Sequence, residues 1–141
     1  MSRIYWDTML FVYWMEGHPK YGRRVQEMHR RMEERRDTLC TSAFVLGELL
    51  VNPYKLKQMD LMRAIRDFFR SSEVEVLPFD QETAEIFSRI RAENKVSPAD
   101  AIHLACAAQA RVDLFLTNDR RLSRLSIPGI HFIADLDTNL L

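Results

Sequence analysis

The chain has 141 residues, 20 basic and 20 acidic with no net charge, and is 47% hydrophobic and 10% aromatic. This is the balance of a folded chain with a core of its own, read as a single domain over residues 1–141. It excludes a membrane span, since no apolar run approaches roughly 20 residues, and it offers none of the strong overall basicity usual in nucleic-acid binders.

Near the start, the apolar run Met9 to Met15 is too short for a span and no small-residue cleavage site follows it, so the chain is expected in the cytoplasm. Arg3 to Asp7 predicts a short buried strand rich in Ile, Tyr and Trp. Thr8 is placed to cap a brief helix running through Trp14, which Gly17-His18-Pro19 breaks. Lys20 to Arg36 predicts a long polar helix with Val25, Met28 and Met32 inward. Its Lys20, Arg23, Arg24, Arg30, Arg31, Arg35 and Arg36 read either as an RNA-facing ridge or as a salt-bridged exposed face. Leu39 to Thr41 predicts a second strand, after which Ser42 caps an apolar helix stopped by Asn52-Pro53.

Leu56 to Phe69 predicts an amphipathic helix with Met59, Met62, Ile65, Phe68 and Phe69 on one face. Together with Tyr54 that helix reads as core packing or as one wall of a groove for a partner helix. Val74 to Leu77 is a third strand, closed by Pro78, and Gln81 to Glu93 a helix with Ala84, Ile86, Phe87 and Ile90 inward. Ser97-Pro98 opens the next helix in the preferred order of cap and then proline. Asp113 to Thr117 makes a fourth strand and His131 to Ala134 a fifth, after Pro128-Gly129. Strands alternating with helices, without tight hairpin signals, imply an α/β fold whose parallel sheet is covered on both faces. Cys40 and Cys106 lie in different elements and read as buried packing thiols in a reducing compartment.

Four carboxylates stand where surface decoration explains them poorly. Asp7 ends an apolar strand, and Glu48 is the only charge between Ala43 and Val51. Asp100 opens an apolar helix, and Asp119 follows Leu114 to Asn118. In an open α/β sheet, ligands bind beyond the carboxyl ends of the strands, at the point where strand order reverses. Asp7 and Asp119 both sit just past such ends, so neighbouring strands would bring them together. Four converging carboxylates repel, and protonation or a cation must relieve them. An oxygen-only donor set favours Mg²⁺ or Mn²⁺ over zinc, and such ions activate water and shield phosphate oxygens. Each acid also has an ordinary reading. Asp7 can cap the next helix, Glu48 can lie on a surface stripe, Asp100 can complete a capping box with Ser97, and Asp119 can be a turn residue.

The ordered set Asp7-Thr8, Ser42 with Glu48, Ser97-Pro98-Ala99-Asp100-Ala101 and Leu116-Thr117-Asn118-Asp119 resembles the PIN domain, and more narrowly the compact VapC-like toxins of toxin–antitoxin modules. The resemblance runs from Arg3 to about Ala134. It implies a three-layer α/β/α sandwich with a parallel sheet of about five strands and the activity of a metal-dependent endoribonuclease. It further implies that Asp7, Glu48, Asp100 and Asp119 form the catalytic Mg²⁺ (or Mn²⁺) site, with Thr8, Thr117 and Asn118 as polar supports. An RNA substrate, a cognate antitoxin and a homodimer follow from the same resemblance. Met9 departs from it, standing where the family often has Asn or Ser.

Arg120, Arg121 and Arg124 follow Asp119 and read as phosphate-gripping residues or as a solvated face. His103, one turn after Asp100, reads as a core residue or as a hydrogen-bond partner near the site. No GxGxxG, GxxxxGK, GxSxG, HExxH or CxxC occurs, which removes the enzymes built on those motifs. Two alternatives stand beside the nuclease: a PIN-like module that binds RNA or protein without cutting, and a small metal-dependent phosphohydrolase.

Overall fold

Ile4 and Trp6 pack into one hydrophobic core and Tyr5, between them, into a second. That alternation on a single strand places a sheet between two layers. The computed structural model describes residues 1–138. Its sheet holds five parallel strands in the order β3-β2-β1-β4-β5, with β1 at Arg3–Trp6, β2 at Thr38–Ser42, β3 at Glu75–Leu77, β4 at Leu114–Thr117 and β5 at Phe132–Asp135.

The chain steps from β1 outward through β2 to β3, then returns to the other side of β1 as β4 and continues to β5. On the outward path lie α1 (Thr8–Glu16), α2 (Gly22–Arg35), α3 (Ala43–Lys55) and α4 (Met59–Arg70), whose apolar residues fill the core containing Ile4 and Trp6. The return path carries α5 (Gln81–Glu93) and α6 (Pro98–Gln109), which fill the core containing Tyr5 and Phe115. Reversing the direction of travel moves the helices to the opposite face, as a constant crossover hand requires. The expected α/β/α sandwich is therefore present, and strand order reverses between β1 and β4.

Several helix boundaries differ from the sequence expectation, three of them with a local cause. Pro53 does not end α3 but lies buried inside it. Its missing N–H falls in the last turn, where Leu56 N–H reaches Asn52 O at 2.9 Å and Gln58 N–H reaches Pro53 O at 2.9 Å, closing the end of the helix. The next helix begins at Met59, not Leu56, because the chain turns through Lys57 at φ 54°. Met59 is consequently 61% exposed instead of facing the core. At the start of α1, Asp7 occupies the cap position and Thr8 is already helical, yet the Asp7 side chain makes no capping bond.

On α2 three of the basic residues, Arg30, Arg31 and Arg35, are paired with carboxylates. Arg30 bonds Glu27 and Glu34, Arg31 bonds Glu27 at 3.3 Å, and Arg24 holds the carbonyls of Leu136 and Thr138. The salt-bridged reading thus holds for Arg30, Arg31 and Arg35. Cys40 and Cys106 are buried and unpaired. Among the described residues no helix is long and apolar enough to cross a membrane.

Candidate active site

Asp7 is placed by the sheet itself. Trp6 is in register with Leu116, and the Asp7 backbone N–H donates to Leu116 O at 3.2 Å, so its side chain leaves the sheet at the β1–β4 reversal. Thr117, the last residue of β4 and fully buried, donates from Oγ1 to Asp7 Oδ2 at 2.6 Å. The other oxygen, Oδ1, is buried without a hydrogen-bond partner among the described residues. Burial pushes the Asp7 carboxyl above the usual carboxylate range, against the opposing pull of the Thr117 hydroxyl and the His103 ring. An acceptor buried and unsatisfied in this way is costly, and the cap position of Asp7 does not by itself relieve it.

Thr117 also accepts the Asp119 backbone N–H at 3.0 Å, and one hydroxyl thereby fixes the spacing of Asp7 and Asp119. The Asp119 carboxylate is held by Arg121, through its backbone N–H at 2.8 Å and its guanidinium at 2.8 and 3.2 Å. That guanidinium keeps the Asp119 carboxyl below its ordinary range. The turn role anticipated as the ordinary reading of Asp119 is therefore real, and it coexists with a position at the sheet edge.

Asp100 lies in the first turn of α6, where Ser97 Oγ accepts its backbone N–H at 3.1 Å and makes Ser97 the cap. The half-buried Asp100 shares a small cavity of about 120 Å³ with Asp119, Arg121, Lys95 and Ser97. Glu48, whose sequence neighbours offer no evident solvent face, has a side chain on α3 that is 33% exposed. Glu48 Oε1 accepts from the Thr8 hydroxyl and from His103 Nε2 at 3.0 Å. The His103 bond lowers the Glu48 carboxyl most, while partial burial opposes it.

His103 is only 5% exposed, so the core reading of this residue and the polar one both hold. Its other nitrogen, Nδ1, lies 2.9 Å from the Tyr5 hydroxyl, which lies 2.9 Å from Ser42 Oγ. The helical spacing from Asp100 was the one signal in the sequence for His103. Nothing local could have pointed to Tyr5, which meets it from 98 residues away.

The supporting residues divide. Thr117 serves Asp7 and Thr8 serves Glu48. Asn118 is exposed, and its backbone N–H, not its side chain, is what bears on the Asp7 carboxyl. The three arginines do not act together: Arg120 pairs with Asp137 at 2.8 Å, Arg121 with Asp119, and Arg124 ends a short 3₁₀ turn over Leu122–Arg124. Met9 is exposed.

Among the described residues, no three His, Cys, Asp or Glu side chains stand close enough together to hold a metal ion as placed. As placed, Arg121 holds Asp119 while Thr8 and His103 hold Glu48. The donor set nonetheless suits a hard cation. It is made of carboxylate oxygens, and Asp7 Oδ1 is a buried acceptor in need of a positive partner.

A family model described as PIN domain matches residues 4–128. Comparison with curated proteins gives no match. Among solved structures, VapBC2 from Rickettsia felis bound to a DNA fragment from its promoter aligns at TM-score 0.75 and 20% identity, covering 94% of this chain and 98% of that one. A toxin–antitoxin complex from Klebsiella pneumoniae aligns at 0.69 and 22%, covering 90% and 94%. Mycobacterium tuberculosis VapC20, a Sarcin-Ricin loop cleaving toxin, aligns at 0.63 and 16%, covering 79% and 86%. At these identities the likeness is one of fold.

Proposed function

The chain belongs to the PIN domain family, and from that premise we propose that it is a metal-dependent endoribonuclease acting as the toxin of a toxin–antitoxin module. One observation carries the reading: a buried carboxylate with an orphaned oxygen, Asp7, stands at the reversal of strand order beside Asp119. Asp7, Asp100 and Asp119 are the residues that would hold Mg²⁺ or Mn²⁺, with Glu48 positioning metal or water. Such an ion, when bound, lowers the pKa of a coordinated water and shields the scissile phosphate. The chain's own part is to hold these oxygens in place. Thr117 fixes Asp7 relative to Asp119, and the Thr8 and His103 bonds fix Glu48.

Asp7→Asn removes the negative charge with almost no change of shape. The purified variant is expected to lose Mg²⁺-dependent cleavage of a mixed RNA substrate and to keep its fold by circular dichroism. Undiminished cleavage would overturn the assignment. The non-catalytic rival draws its support from Arg121, which already neutralises Asp119. Cleavage by the wild type that is abolished by EDTA and restored by Mg²⁺ excludes it.

The solved relatives from Rickettsia felis and Klebsiella pneumoniae are toxin–antitoxin complexes, which supports an antitoxin partner here. The surface has a matching feature. An apolar groove of about 330 Å³ runs between α1 and α4 past Phe11, Trp14, Leu61 and Phe68, and a second recess of about 300 Å³ beside it reaches Glu48. An amphipathic helix laid in the groove could send a basic tail toward the acids. A homodimer and a cytoplasmic setting belong to the same reading.

A further inference from the structure

We infer that His103 is a positioning residue, which fixes one oxygen of Glu48 so that the other is left to serve the site; this rests on the nuclease reading above. Both bonds that Glu48 receives fall on Oε1, from Thr8 and from His103. A carboxylate accepts only, so His103 Nε2 carries the hydrogen in either charge state of the ring. The imidazole itself cannot turn. Its Nδ1 is engaged by the Tyr5 hydroxyl at 2.9 Å, its edge meets the Phe44 ring at a centroid distance of 5.3 Å, and it is almost wholly buried.

Tyr5 is in turn held by its own surroundings. It is fully buried on the central strand, stacked on Phe115 at 4.9 Å, and bonded to Ser42, the cap of the helix that carries Glu48. The bonds close a ring: Ser42 starts α3, Tyr5 lies on β1, His103 lies on α6, and Glu48 returns to α3. A helix from each face of the sheet is thus tied through one side-chain path, and the path ends on a single carboxylate oxygen. A packing role alone would be met by any apolar ring of this size. It would not call for a polar group at both nitrogens.

Two substitutions separate the nitrogens. The amide nitrogen of Gln reaches the place of Nε2, and the amide of Asn reaches that of Nδ1. His103→Gln is expected to keep the Glu48 bond, with kcat and Mn²⁺ affinity within a few-fold of wild type. His103→Asn is expected to lose the Glu48 bond and about 10–100-fold in kcat or in Mn²⁺ affinity, the usual cost of removing a partner of a ligand. Melting temperatures of both variants are compared, since a structural role predicts that activity follows stability in the two alike. Equal loss in both variants overturns the inference. Crystal structures of the two variants keep it decidable apart from the nuclease reading. If the wild type neither cleaves RNA nor binds Mn²⁺, that reading fails. Glu48 staying in place in His103→Asn would still overturn the inference, and Glu48 moving there but not in His103→Gln would uphold it.

Discussion

Thr117 Oγ1 donates to Asp7 Oδ2 at 2.6 Å, joining the carboxyl ends of two neighbouring parallel strands through one buried hydroxyl. The same oxygen accepts the Asp119 backbone N–H. Thr117→Val keeps the shape and deletes both bonds. It leaves a second Asp7 oxygen unsatisfied next to the first, at a cost of about 1–3 kcal/mol. Urea denaturation should show that loss, and RNA cleavage should fall about 10–100-fold with it. A variant as stable as wild type would show that the hydroxyl does not support Asp7.

Asp7 and Glu48 should titrate with opposite effects on stability. The folded Asp7 carboxyl lies above the value of 3.8 for an unperturbed side chain, because it is buried. Its contribution is therefore complete below pH 3.8 and is lost as pH rises through the folded value. The folded Glu48 carboxyl lies below 4.5, chiefly through the His103 bond. Its contribution is present above pH 4.5 and is lost as pH falls through the folded value. Melting curves in EDTA check this. Asp7→Asn should gain on wild type as pH rises from 3.8, whereas the deficit of Glu48→Gln should shrink as pH falls below 4.5.

Much of this was legible in the chain. The apolar strands and the alternation with helices set the sheet, and acids placed just past Trp6 and Thr117 had to emerge at one edge. What stayed hidden depended on partners far apart in sequence. Glu48 meets His103 across 55 residues and Thr8 across 40, and no local pattern records either bond. Arg120 read as a phosphate grip or as part of a solvated face, and its bond to Asp137, 17 residues downstream, was not legible in either reading. The displaced start of α4 has a different cause. A non-glycine residue, Lys57, adopts positive φ there, where the Gln58 N–H closes back onto Pro53 O.

The two thiols give a test of the packed state. Burial pushes both Cys40 and Cys106 up to about 11. At pH 8 a thiol with such a pKa is almost entirely protonated and a poor nucleophile. A chromogenic disulfide reagent should therefore titrate no thiol on the native protein within minutes and both thiols in denaturant. Rapid native reaction would show that the core around Tyr5 and Phe115, which holds both thiols, opens under these conditions.

The arginines after Asp119 should separate in RNA binding. Arg121 is beside Asp119 and lines the small cavity shared with Asp100, so its guanidinium is the one within reach of a phosphate at those acids. Arg120 is turned to Asp137 near the end of the described chain. A charged hydrogen bond of about 1.5–3 kcal/mol corresponds to about tenfold or more in binding. Arg121→Ala should raise KM for RNA by about that factor, with a smaller salt dependence because a phosphate contact is lost. Arg120→Ala should leave both unchanged. Equal effects of the two substitutions would mean that the substrate lies over the whole basic turn, and that the Arg120–Asp137 pair opens to receive it.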